Sequence, residues 1–208
     1  MNPNTQREYS EEDMEREDNN RAANTLLRLA CIPDRHSRSI RAEDSPKEWL
    51  DKLTTLRETT ADRGSMCCLI GPRGTGKTQL AVVLIRLACK KLMPSYYCKS
   101  MDFFQALKDS YRPDSRMSEL QVFRKYLEFE LLVIDEIQVR SESAWENQAF
   151  THLIDQRYDA MKTTILIGNL KAENLAASLG ESIYSRLTET GGIVVCDWPS
   201  FRNQVKNT

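Results

Sequence analysis

The chain has 208 residues, 40% of them hydrophobic, enough for one domain with a substantial core and an additional arm but not for two full domains. Its 29 basic and 30 acidic side chains nearly cancel, which excludes a chain-wide basic surface, so any nucleic-acid contact has to come from a local patch. No run of about 18 apolar residues occurs and the start, Met1-Asn2-Pro3-Asn4, has no leader pattern, so a cytoplasmic location without membrane contact is expected.

From Arg7 to Asp18 acidic residues dominate and apolar ones are nearly absent, which predicts a flexible or frayed arm. Ala22, Leu26, Leu27, Leu29 and Ala30 then predict a short helix, stopped before Pro33 because proline restricts the residue preceding it. Residues 33–44 carry Arg35, His36, Arg38 and Arg41, a basic linker that reads equally as solvated or as touching phosphate. Residues 1–45 are therefore expected to form the acidic arm, short helix and linker, and residues 46–208 the nucleotide-binding domain.

Ser45-Pro46-Lys47-Glu48 predicts an N-cap followed by proline at the first helical position, with a helix through about Arg63 that places Trp49, Leu50, Leu53 and Leu56 on one side. Short apolar strands are predicted at Met66–Ile70, Ser95–Cys98, Leu131–Asp135, Thr164–Ile167 and Ile193–Cys196, separated by helix-length segments. That alternation implies an α/β fold, a parallel five-stranded sheet covered by helices on both faces. The helix opening near Lys77 is apolar almost all round as far as Lys90, which predicts burial against the sheet. Cys31, Cys67, Cys68, Cys89, Cys98 and Cys196 have no C-x-x-C spacing and mostly lie in apolar runs, so buried thiols are expected rather than a metal centre.

Gly71-Pro72-Arg73-Gly74-Thr75-Gly76-Lys77-Thr78 matches G-x-x-x-x-G-K-[ST] between a predicted strand and a predicted helix, the context that a P-loop requires. Glycines allow a tight turn that aims backbone N–H groups at phosphate oxygens, and the helix N-terminus adds its positive end. Lys77 is expected to reach the β- and γ-phosphates of ATP, and the Thr78 hydroxyl to ligate Mg2+. Leu131–Asp135 is an apolar strand that ends in a carboxylate, with Glu136 next. Asp135 is expected to position Mg2+ and Glu136 to act as general base towards the attacking water. Asn169 follows another strand; it reads either as a turn residue after Gly168 or as the group that holds the lytic water or the γ-phosphate.

In this order the P-loop, the Asp-Glu strand and the Asn-ended strand resemble the AAA+ ATPases. Residues 131–145, LLVIDEIQVRSESAW, and 179–202, LGESIYSRLTETGGIVVCDWPSFR, are similar to the DnaC/IstB-like family, and the resemblance runs from about Asn20 to the C-terminus. It implies a P-loop NTPase of AAA+ type without a full helical lid domain, an ATP-hydrolysing factor that loads a replicative helicase or assists a transposase, and a homo-oligomer on single-stranded DNA. By position it makes Arg186 an arginine finger serving a neighbour's site, and it places Ser143, Trp145 and Tyr111 at DNA contacts. The stripe Phe150, Leu153, Ile154, Tyr158 and Met161 at about 100° per residue sets Trp145 opposite the core, hence exposed. Tyr111 shares an apolar face with Phe104 and Leu107 and reads equally as core. A small-molecule kinase also fits a P-loop domain of this length, but no arginine-rich lid is evident. A nucleotide-gated adaptor that hardly hydrolyses is disfavoured by Glu136.

Overall fold

Side chains along the strands alternate between two helical layers, which is why the three central runs are buried on both faces while the two edge runs are less uniformly so. The computed structural model describes residues 10–37, 45–141 and 143–201. Strands β1 (Met66–Ile70), β2 (Ser95–Lys99), β3 (Leu131–Asp135), β4 (Thr163–Gly168) and β5 (Ile193–Val195) form one parallel sheet in the order β2-β3-β4-β1-β5. Their bounds fall within one residue of those expected.

One face of the sheet meets α1 (Glu11–Leu29), α2 (Lys47–Thr59) and α3 (Lys77–Lys90). There Cys67 and Leu69 of β1, Val133 of β3 and Ile165 and Ile167 of β4 pack with Trp49, Leu56, Leu80 and Ile85. The other face meets α4 (Ser100–Ser110), α5 (Glu119–Glu128), α6 (Ala144–Asp159), α7 (Leu175–Leu179) and α8 (Glu181–Thr190). Met66, Cys68 and Ile70 point there, with Leu132, Ile134 and Leu166, against Phe103, Phe104, Phe150 and Leu153. Each fully buried side chain of this size contributes roughly 1.5–3 kcal/mol relative to exposure. The architecture is the expected α/β one, a parallel five-stranded sheet covered by helices on both faces.

The N-terminal arm corrects the expectation of fraying, because helix begins at Glu11. Ser10 and Asp13 form a reciprocal capping box: the Asp13 amide donates to Ser10 Oγ at 3.1 Å and the Ser10 amide to Asp13 Oδ2 at 3.3 Å. Glu11, Glu12 and Asp13 also sit in the first turn, where carboxylates favour the helix dipole. This half is exposed, so local chemistry rather than burial makes it helical; only towards Ala23, Leu26 and Leu27 does α1 reach the core. Arg38 and Arg41 lie outside the described residues, whereas Arg35 and His36 form a short 3-10 turn after α1.

Three further expectations are corrected. The second helix is capped by Pro46 rather than Ser45 and ends at Thr59, short of Arg63. On α6, Phe150, Leu153 and Ile154 are buried, but Tyr158 is half-buried and Met161, 58% exposed, lies beyond the helix end with φ of +52°. Arg157 takes the interior position instead, fully buried. Its guanidinium donates to the carbonyls of Tyr126 (2.7 Å), Phe129 (3.0 Å) and Thr163 (2.6 Å) and to Thr164 Oγ1 (2.8 Å). Burial lowers its pKa to about 9, still high enough for it to stay charged at neutral pH. Of the cysteines, all but Cys31 are buried as expected.

Candidate functional site

Parallel strands deliver side chains to a crevice beyond their C-terminal ends, and here β1, β3 and β4 end side by side. The turn after β1 needs glycine where the chain is most crowded. At Gly71, φ is +133° and a Cβ would stand 2.2 Å from the Cys196 carbonyl oxygen; at Gly76, φ is +81° and a Cβ would meet the Phe201 ring at 2.6 Å. Helix α3 starts immediately after, so its free N–H groups and positive end point into the crevice.

A cleft of about 640 Å³ opens at this point, lined by Arg73, Gly74, Gly76, Lys77, Thr78, Asp135, Glu136 and Asn169. The candidate residues from three separate stretches of sequence thus converge. Lys77 is buried and its Nζ donates to the carbonyls of Gly71 (2.8 Å) and Pro72 (2.6 Å). Burial lowers its pKa, opposed by Cys196 and Asp135. Of the remaining loop residues, Thr75 is buried and its hydroxyl donates to the Pro72 carbonyl at 3.1 Å.

Asp135 Oδ2 accepts from the Thr78 hydroxyl at 2.7 Å and from the Tyr97 hydroxyl at 2.8 Å, while Oδ1 accepts from the Glu136 amide at 2.6 Å. Burial, and then the charge of Asp135, raise the Tyr97 pKa, so Tyr97 remains a donor. Hard oxygen donors at Thr78 and Asp135 suit Mg2+, which usually takes only one or two protein ligands and completes its shell with phosphate oxygens and water. Among the described residues no group of three or more His, Cys, Asp or Glu forms a metal cage of its own.

Glu136 adopts the left-handed region, φ +58° and ψ +39°, uncommon for a residue with a side chain. Its carboxylate meets Lys99 Nζ at 3.1 Å. The Asn169 backbone amide donates to Gln138 Oε1 at 3.0 Å, which fixes the end of β4 to the turn after β3. Arg35, His36, Gln79 and Phe201 complete the cleft, with His36 Nδ1 at 2.8 Å from Gln79 Oε1. Arg35 and His36 of the linker therefore lie at the cleft and not in open solvent alone.

The other candidates are elsewhere. Arg186 on α8 does not line the cleft of its own chain; it pairs with Asp155 at 3.2 Å, donates to the Ser182 carbonyl and lies over the Tyr158 ring. Ser143 caps α6, its Oγ accepting from the Glu146 amide at 3.2 Å. The expected outward Trp145 is corrected: it is half-buried, its ring 6.1 Å from those of both Phe104 and Tyr111, with Lys108 Nζ at 5.7 Å. Helix α4 fills the space that a view of α6 alone leaves open. Tyr111, by contrast, is 52% exposed at the end of α4, so its core reading is overturned.

Sequence reasoning missed Tyr97, Gln138 and Phe201, and did not connect Trp49 or Trp198 with the site. Trp198 follows a strand at a place where a large aromatic signals close packing, but only the fold reveals against what. A second hollow of about 410 Å³, floored by Leu84, Leu87, Ala88 and Leu131, lies towards the strands' N-terminal ends, where parallel sheets do not deliver catalytic groups.

Residues 6–208 match the model of the family described as IstB-like ATP binding protein. The replicative helicase loader DnaC of Escherichia coli (strain K12) is 30% identical over 136 residues, 65% of this chain and 55% of that protein. The insertion sequence IS232 putative ATP-binding protein of Bacillus thuringiensis subsp. berliner is 37% identical over 101 residues, 49% of this chain and 39% of that protein. The chain thus spans about half the length, or less, of these curated relatives. A crystal structure of the DnaC helicase loader superposes with a TM-score of 0.66 at 24% identity, covering 78% of this chain and 99% of that one, a likeness of fold.

Proposed function

The chain belongs to the IstB-like ATP-binding protein family, and on that premise we propose that it is an Mg2+-dependent ATPase that loads or remodels a replicative helicase on single-stranded DNA. The observation that carries this reading is the convergence of Lys77, Thr78, Asp135, Glu136 and Asn169 on one cleft at the ends of three adjacent strands. Loop amides and Lys77 bind the triphosphate. Thr78 and Asp135 are the residues that hold Mg2+, which when bound neutralises charge on the β- and γ-phosphates. Glu136 takes the proton of the attacking water as its oxygen bonds to the γ-phosphorus; the bond to the bridging oxygen breaks and ADP leaves with the electron pair. Asn169 orients that water or the γ-phosphate.

Arg186 is proposed to act in a neighbouring subunit's site, where a guanidinium stabilises charge on the transferring phosphoryl group. Its place on α8, outside its own cleft, supports that arrangement; in the single chain its partly buried guanidinium is held by Asp155. Tyr111, backed by Trp145, and the N-terminus of α6 at Ser143 are the proposed DNA contacts. The resemblance to an insertion-sequence ATP-binding protein favours a second reading, in which the same ATPase assists a transposase.

Phosphate release from ATP, measured with and without single-stranded DNA and with a candidate helicase present, tests this. Turnover that rises with DNA and helicase supports the loader reading. Hydrolysis stimulated by DNA but indifferent to helicase moves the assignment to the transposase helper. Transfer of the phosphoryl group to a small-molecule acceptor instead of water contradicts both.

A further inference from the structure

Carbonyl groups in the P-loop have an unusual set of partners. Phe201 donates its amide to the Gly74 carbonyl at 3.0 Å, Trp198 its indole N–H to the Thr75 carbonyl at 2.8 Å, and Trp49 its indole N–H to the Gly76 carbonyl at 3.3 Å. The carbonyls of Gly74 and Thr75 are thereby held by donors from the segment after β5, and that of Gly76, which also accepts the Leu80 amide at 2.9 Å as the first bond of α3, takes a second donor from α2, more than 100 residues away in the chain. The Cys196 amide extends the contact, donating to the Ile70 carbonyl at 2.8 Å. Gly76 is crowded where a side chain would stand, since a Cβ there would meet the Phe201 ring at 2.6 Å and Trp49 Nε1 at 2.9 Å.

Peptide planarity gives this consequence. In a trans peptide the C=O of one residue and the N–H of the next point in opposite directions. Tying the carbonyls of Gly74, Thr75 and Gly76 to one side therefore turns the amides of Thr75, Gly76 and Lys77 to the other, towards the cleft that Gly74, Gly76 and Lys77 line. Positive φ at Gly74 and Gly76 supplies the alternation that makes successive amides converge on an anion. A buried indole always requires an acceptor, yet that requirement does not select three adjacent loop carbonyls served from two ends of the domain.

We propose that Trp49, Trp198 and the Phe201 amide form a clamp that presets the phosphate-binding amides of the P-loop, making both tryptophans positioning residues for nucleotide binding. The inference rests on the assignment of the cleft to ATP. Without the clamp the loop samples conformations in which the amides diverge, and apparent affinity falls in proportion to the competent fraction. Because the clamp acts on phosphate and not on the base, ADP and inorganic tripolyphosphate must suffer equally.

Trp198→Phe and Trp49→Phe keep an aromatic ring and delete the donor. Calorimetric titration of the full chain with ADP and with tripolyphosphate is expected to give Kd values raised roughly three- to tenfold for both ligands, the loss of one hydrogen bond. Ligand-free melting should fall by only about 2–4 °C. Phe201→Pro deletes the third donor from a segment at the edge of the domain and should weaken tripolyphosphate alike; it decides the matter if a tryptophan variant does not fold. Unchanged Kd values in these variants, beside binding that Lys77→Ala abolishes, overturn the clamp and leave the cleft assignment intact. Tripolyphosphate and ADP binding that ignores Lys77→Ala overturns the cleft assignment and the clamp together.

Discussion

At Tyr111 and Trp145 two neighbouring aromatics divide one task between stability and contact. Trp145 is half-buried against Phe104, so its removal opens a void beside the core, whereas Tyr111 lies at a helix end with about half its surface in water. Lys108, over the Trp145 ring, pairs with Glu146 at 3.4 Å, and Arg112, next to Tyr111, pairs with Asp109 at 3.4 Å, so stacking and not a net basic patch is what this surface offers a base. Tyr111→Ala is expected to weaken binding of a labelled single-stranded oligonucleotide by about 1–3 kcal/mol, the worth of one stacked base. Its folding stability should change by no more than about 0.5 kcal/mol, as at other exposed sites. Trp145→Ala lowers the melting temperature as well, so only the tyrosine separates the two effects. Undiminished oligonucleotide affinity in Tyr111→Ala would remove this surface from the DNA path.

Among the elements, those with uniform burial were legible and those decided by a neighbour were not. The strands announce themselves as apolar runs because both faces are covered, and Gly71–Thr78 and Asp135-Glu136 follow from strand ends alone. The first half of α1 was misread because a compositional argument about burial overlooked the capping box of Ser10 and Asp13. Trp145 was misplaced because helical phase on α6 says nothing of α4 lying alongside. Tyr97 and the indoles of Trp49 and Trp198 became visible only when distant segments met at the loop. Arg157 carries the same lesson on α6, since a charged side chain at an interior position saturates the last carbonyls of α5 and ties them to the start of β4. Arg157→Met leaves those carbonyls buried without a donor and is expected to cost about 2–4 kcal/mol of stability, the loss of about 1–3 kcal/mol for each unsatisfied acceptor being partly offset by removal of a desolvated charge. Urea denaturation of the variant checks this; a midpoint unchanged from the parent would show the carbonyls to be satisfied by water.

For the molecule as a whole, the proposed mechanism divides between two chains, with the base, the carboxylate for Mg2+ and the phosphate loop from one and the arginine finger from a neighbour. Arg186→Ala and Lys77→Ala proteins should each be inactive alone, and their mixture should recover part of the ATPase activity at interfaces that join an intact cleft to an intact arginine. A mixture as inactive as its parts, under conditions where light scattering detects oligomers, would confine Arg186 to its pairing with Asp155. The central claim, that the cleft binds ATP through the loop and hydrolyses it through Glu136, is tested most directly by pairing nucleotide affinity with single-turnover hydrolysis in Lys77→Ala and Glu136→Gln. Lys77→Ala is expected to lose ATP binding, while Glu136→Gln binds ATP as tightly as the parent chain and forms no ADP. ADP formation by Glu136→Gln at the parental rate, or equal loss of affinity in both variants, would contradict it.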